Sequence, residues 1–180
     1  VSDGMAQNAA LALTAALRLG VEPKLLQERL GGWGPAKLRG EIRREGGRLL
    51  YLDCYNANPA SMADALAAFQ AVAPAGETRL YVLGCMEELG PESPALHRAL
   101  GRALNLRGGD RMIVIGQQAN EVCAGVLEQG DFTRQIQIAS TIDTIAAEVA
   151  AWHGAVFLKG SRRYQLERAI APAGAEVAHA

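Results

Sequence analysis

LYLDCYNANPASM, residues 50–62, carries an apolar run into an acid, Asp53, and then into a Tyr, two Asn and a Pro. The run reads as the end of a strand. Asn58-Pro59 pairs a favoured N-cap with proline at the first helical position, so a helix is predicted to start there. In α/β sheets the turn between a strand's carboxyl end and the next helix is where ligands bind.

Upstream, EIRRE (41–45) and RLLYLD (48–53) flank Gly46-Gly47, the signal of a tight antiparallel hairpin. Downstream, RLYVLG (79–84), RMIVIG (111–116), RQIQIA (134–139) and AVFLKG (155–160) are short runs rich in Val, Ile and Leu. Stretches near 60–73, 91–106, 118–128, 140–152 and 162–171 have helical patterning. This alternation predicts an α/β fold, a Rossmann-like, doubly wound, mainly parallel sheet with one antiparallel hairpin strand. Two short helices precede it. Residues 3–20 carry Ala and Leu at helical spacing, with Ser2 or Asp3 as N-cap and Gly20 as the stop, and residues 22–30 follow with Pro23 in the first turn. These helices need a core to lie on. GGWGP (31–35) reads as a linker, and the Ala-rich tail from Pro172 as frayed.

A chain of 180 residues allows one domain with a sizeable core, or one domain plus a small appendage. The net charge of −1 argues against a dedicated binder of nucleic acid or of an anionic membrane. Cys54, Cys85 and Cys123 are scattered, as are His97, His153 and His179, so neither a disulfide framework nor a zinc site is indicated. The cysteines read as small packing residues. No run is long enough for a membrane span and no signal peptide is present, so a reducing cytoplasm is the expected location. The chain opens on VSDGMAQN rather than on Met, as an excised fragment would.

Four turns are expected on one edge of the sheet: DCYNANP, GCMEELG, GQQAN and KGSRR. Asp53 can accept the hydroxyls of a ribose, or serve as an Asx-turn or cap. Asn58 is able to cap the next helix unaided, so the cap does not require Asp53. Asn56 is either a turn residue or a ligand contact. Lys159 stands out in a chain with only two other lysines, Lys24 and Lys37. Ser161 is placed to cap the last helix, and Arg162 and Arg163 read as solvated. Glu87 and Glu88 read as solvated loop acids, and His97 as an exposed or core-edge residue of a helix. There is no G-x-x-x-x-G-K-[ST] and no G-x-G-x-x-G, so the phosphates of any nucleotide must be held elsewhere.

YNANPASM, VLGCMEELGPESPALH, FLKGSRRYQLE and GMAQNAALALTAALRLGVEP resemble, in order and spacing, segments of the Mur ligases. The branch resembled is the one that adds D-alanyl-D-alanine to UDP-N-acetylmuramoyl-tripeptide (UDP-MurNAc-tripeptide). Related branches carry histidine in the first motif. The resemblance implies that residues 1–32 close a central ATPase domain and that residues 33–180 form the C-terminal domain. The N-terminal and central domains, with the P-loop, would lie outside the chain, and the fragment alone would be inactive.

The implied reaction uses ATP, with Mg2+, to phosphorylate the tripeptide's carboxylate. The amine of D-alanyl-D-alanine then attacks the acyl phosphate, and a tetrahedral intermediate collapses to amide and phosphate. Carried over residue by residue, Asp53 would bind the ribose, Arg39 would reach the phosphates, Asn8 would contact adenine, and Asn56 would shape the nucleotide cleft. Asn58, Lys159, Ser161 and Arg162 would lie toward the substrate. On this basis Asp53→Ala raises the KM for ATP and leaves the fold intact. Leu52, Cys85 and Gly4-Met5 depart from the family pattern, which has polar residues at those places. The alternatives are a stand-alone binding module, or an amide ligase taking another amino-acid acceptor.

Overall fold

Gly46 and Gly47, both at positive φ, fold β1 (Glu41–Glu45) back antiparallel onto β2 (Arg48–Asp53). Two successive residues at positive φ are what a two-residue hairpin needs, and glycine supplies them without steric cost. In the computed structural model, which describes residues 2–170, this hairpin is one edge of a six-stranded sheet. The tail from Pro172 lies outside the described residues. The other strands are β3 (Arg79–Gly84), β4 (Arg111–Ile115), β5 (Ile136–Ala139) and β6 (Ala155–Lys159). Their order is β1-β2-β6-β3-β4-β5, and every pair except β1–β2 is parallel. The last strand among the described residues is thus inserted between β2 and β3.

Helices cover both faces. α3 (Pro59–Val72), α4 (Ser93–Ala103) and α5 (Ala119–Leu127) lie on one, and α6 (Ile142–Ala151) on the other. The period of two along each strand sorts the residues. Leu49 and Tyr51 of β2, with Phe157 of β6, enter the core beneath α3, whereas Leu50, Leu52 and Leu158 enter the core beneath α6. An aromatic group fills the first core. Tyr51 stacks on Phe157 at 5.5 Å between centroids, and Phe69 meets Tyr81 edge-on at 5.6 Å. Leu52, where the family pattern has an acid, is fully buried among apolar neighbours. A carboxylate there would be buried without a partner, so leucine suits this core.

Of the helix expected over 162–171, the described residues 162–170 form none. Arg162–Tyr164 and Leu166–Ala169 are two separate 3-10 turns, and Gln165 between them has φ 45° and ψ 47°. That left-handed residue interrupts the helical ladder and turns Leu166 and Ala169 into the core under α6. Ser161 does act as a cap, for the first of these turns, accepting from the Arg163 N–H at 3.4 Å.

The two leading helices are α1 (Asp3–Arg18), capped by Ser2, and α2 (Pro23–Gly31), which takes in the first residue of the expected linker. Neither contains a buried residue, and Leu11, Leu17, Leu19, Leu25, Leu30 and Trp33 are exposed. α1 touches the sheet domain at its start, where the Gly4 N–H donates to Asp64 of α3 at 3.0 Å. A Cβ on Gly4 would lie 2.8 Å from the Asp64 carboxylate, so that side chain would have to move to admit one.

Candidate functional site

A cleft of about 920 Å³ opens between the start of α1, the 33–40 loop and the carboxyl ends of β2 and β6. Asn8, Arg39, Asp53, Asn56, Asn58 and Lys159 all line it. Six of the eight residues assigned from the sequence are therefore gathered at one place.

β2 and β6 pair in register so that Asp53 lies beside Lys159. Lys159 is 1% exposed, and its Nζ donates to Asp53 Oδ2 at 2.7 Å and to the Asn56 carbonyl at 3.0 Å. Burial of an ammonium requires such pairing. The Asp53 side chain keeps 19% exposure toward the cleft. Lys159 is thus bound to the acid assigned to the nucleotide, rather than turned outward to a substrate.

The other amides serve their own turn. Asn56 Oδ1 accepts from the Ala57 N–H at 2.8 Å. Asn58 caps α3, accepting from the Ser61 N–H at 2.9 Å, while the Ser61 hydroxyl accepts from the Asn58 N–H at 3.1 Å. The reciprocal pair is a capping box, so Asn58 has the structural role that the sequence offered as one alternative.

Arg39 sits on a tight loop whose neighbours Leu38 and Gly40 have φ 61° and 68°. The Leu38 N–H donates to Glu41 at 3.1 Å and its carbonyl accepts from the Tyr55 N–H at 3.3 Å, which holds a conformation unfavourable to leucine. The Arg39 guanidinium lies 3.9 Å above the exposed Tyr55 ring, a cation–π contact at the cleft rim. Tyr51 closes the floor. Burial, with the Asp53 and Asp64 carboxylates nearby, pushes its phenol well above the usual range. It therefore stays protonated and available as a donor. Sequence reasoning passed over Tyr51 because it reads as one more core residue of a strand.

Ser161 and Arg162 lie just beyond β6 and do not line the cleft. Arg162 is exposed and pairs with Glu167. Next to this turn is a smaller polar cavity of about 210 Å³, formed by the turns after β3 and β4 and lined by Glu87, Glu88, Ser93, Gln117 and Gln118 among others. Glu87 is not simply solvated. It accepts from the Tyr164 hydroxyl and from Arg163, tying the β3 turn to the β6 turn. The Tyr164 ring crosses two strand ends that lack side chains. A Cβ on Gly84 would meet the ring at 2.9 Å, and one on Gly116 would meet the hydroxyl at 2.5 Å. The glycines closing VLG and VIG were the available signal.

His97 is buried rather than exposed or at the core edge. The Met86 N–H donates to its Nε2 at 2.9 Å, and Nδ1 lies 2.7 Å from the Ser93 carbonyl. A ring protonated on Nδ1 satisfies both contacts, so His97 braces the wall of the smaller cavity. All three cysteines are free and buried. Burial pushes the Cys54 thiol up to about 12 and the Cys85 thiol up to about 11. Thiolate is the reactive form. A chromogenic disulfide reagent added to the native chain at pH 8 is therefore expected to release no fast thiol equivalent from them, and to react promptly after denaturation.

Residues 38–162 match the model of the Mur ligase glutamate ligase domain. The chain belongs to the Mur ligase family. Among curated relatives, the UDP-N-acetylmuramoyl-tripeptide–D-alanyl-D-alanine ligase of Escherichia coli strain K12 is 34% identical over 125 residues, covering 68% of this chain and 26% of that protein. The ligase of the same name from Bacillus subtilis strain 168 is 27% identical over 166 residues, covering 91% of this chain and 36% of that protein. A crystal structure of MurF from Acinetobacter baumannii aligns at a TM-score of 0.75 with 27% identity, covering 94% of this chain and 37% of that one. This Mur ligase chain therefore spans about a quarter to a third of the length of the curated relatives. Its six-stranded mixed sheet is that of the MurF C-terminal region.

Proposed function

We propose that this chain is the acceptor-side, nucleotide-contacting part of an ATP-dependent ligase that joins D-alanyl-D-alanine to UDP-MurNAc-tripeptide in peptidoglycan precursor synthesis. The observation that carries this is the meeting of the YNANP and KGSR turns at one cleft, through Asp53 and Lys159. The similarity to two ligases of that name supports it. In this proposal residues 1–32 are the closing helices of a central domain and residues 33–180 the C-terminal domain. The exposed apolar side chains of α1 and α2 are consistent with that division.

The cleft suits a nucleoside. It offers a carboxylate for a ribose, a guanidinium at the rim for phosphate, and the Asn8 amide for a base. ATP supplies the phosphoryl group that activates the tripeptide's carboxylate. This chain's own residues bind and orient. Asp53 holds the sugar, Arg39 draws the phosphates toward the domain interface, and the fixed turns place the two substrates. The described residues contain no cluster of three metal-ligating side chains, and the sequence no P-loop. We accordingly assign Mg2+ and the triphosphate mainly to the central domain. We assign the incoming dipeptide to the smaller polar cavity beside the KGSR turn, where the Glu87 carboxylate would face its amine.

The test is phosphate release by the full-length protein given ATP and UDP-MurNAc-tripeptide. Release should require D-alanyl-D-alanine, and the 180-residue chain alone should turn over no ATP. Release that follows a single amino acid instead would reassign the acceptor, and steady hydrolysis by this chain alone would refute the division of labour.

A further inference from the structure

We propose that Lys159 is a positioning residue of the nucleotide site and makes no contact with the acceptor. This rests on the reading of the cleft given above. Lys159 comes from the KGSR turn, which the family resemblance sends toward the substrate. Its ammonium goes elsewhere. It is buried, and its two acceptors belong to the YNANP turn: Asp53 Oδ2 at 2.7 Å and the Asn56 carbonyl at 3.0 Å.

Three physical points follow. A buried ammonium is held by its partners because leaving them would strand a charge away from water. The carboxylate is thereby fixed in one rotamer, with Oδ2 engaged. Oδ1 has no protein partner among the described residues, and the side chain keeps its opening toward the cleft. A fixed carboxylate loses less conformational freedom when a sugar hydroxyl binds, which is preorganisation. The bond to the Asn56 carbonyl ties the rest of the turn to the same ammonium as the acid. The two turns come from strands adjacent in the sheet but 106 residues apart in sequence, so the lysine also closes the floor of the cleft.

A role confined to stability would not separate nucleotide from acceptor, and the test uses that difference. In the full-length enzyme, Lys159→Met keeps an unbranched side chain as far as the ε position and removes the ammonium. It is expected to raise the KM for ATP and the Kd for ADP by about tenfold, the loss of one charge-assisted contact, and to leave the KM for D-alanyl-D-alanine unchanged. On an Asp53→Asn background, Lys159→Met should weaken ADP binding by less than about twofold further, because the two residues act as one unit. An increase confined to the KM for the dipeptide would overturn the proposal, as would a full multiplicative loss on the Asp53→Asn background. If Lys159→Met alone does not fold, the Asp53→Asn/Lys159→Met pair, which buries no unpaired charge, gives the deciding comparison with Asp53→Asn. Failure of the underlying reading looks different: the unaltered enzyme would then bind no ADP, or Asp53→Ala would bind it as well as the unaltered enzyme does.

Discussion

Gly101→Ala is expected to lower the stability of the chain by about 3 kcal/mol or more, at the upper end of overpacking costs. For a chain of this size that corresponds to roughly 6–12 °C in Tm, read by thermal denaturation followed by circular dichroism. The reason is the contact between α4 and α5. A Cβ on Gly101 would lie 2.1 Å from the Val122 carbonyl oxygen and 2.9 Å from Gly125 Cα. Reciprocally, a Cβ on Gly125 would lie 2.1 Å from the Arg98 carbonyl oxygen. The helices meet backbone to backbone, and a backbone cannot turn aside as a side chain does. To admit one methyl group they must separate, which opens the core around Leu100, Val122 and Val126. Gly31→Ala, where an added Cβ meets nothing within 4 Å, is the matched control and should leave Tm nearly unchanged. Equal Tm values for the two variants would refute the close-packing account.

Asp53→Ala in the full-length enzyme is expected to raise the KM for ATP by roughly ten- to a hundredfold, the range for losing a charged hydrogen-bond acceptor. The KM for the dipeptide should hold. An unchanged KM for ATP would return Asp53 to the role of a turn residue. The sequence alone suggested that this substitution leaves the fold intact, and the structure changes that expectation. Asp53 is the charged partner of buried Lys159, so its loss also removes stability, moderated because the Asn56 carbonyl remains. Asp53→Asn, which keeps an acceptor oxygen near Nζ, should recover much of the Tm while the KM for ATP stays high. That split separates binding from folding.

Much of the architecture was legible because local signals agreed with one another. Gly46-Gly47 marked the hairpin, and the Val- and Leu-rich runs marked β3, β4 and β6. Asn58-Pro59 marked the start of α3. What was not legible depends on partners remote in sequence. The stretch after Ser161 has helical composition, but Gln165 takes a left-handed conformation so that Leu166 can reach the α6 face. His97 is set by the Met86 backbone N–H, which no periodicity reveals. The ion pair of Asp53 with Lys159 depends on strand order, and alternation of strands and helices does not say that the final strand enters the middle of the sheet. The glycines at 84 and 116 were visible, but their use as a bed for Tyr164 was not.

That strand order has a consequence for biogenesis. β6 separates β2 from β3, so the nascent chain can make only the hairpin and the β3–β4–β5 ladder until residues 155–159 have left the ribosome. Until then the exposed edges of β2 and β3 are open to mispairing and to capture by chaperones. Lys159 arrives with that last strand. The acid of the nucleotide cleft therefore acquires its counter-ion in the step that completes the sheet, and a chain stopped before residue 155 would have neither the complete sheet nor the closed cleft floor.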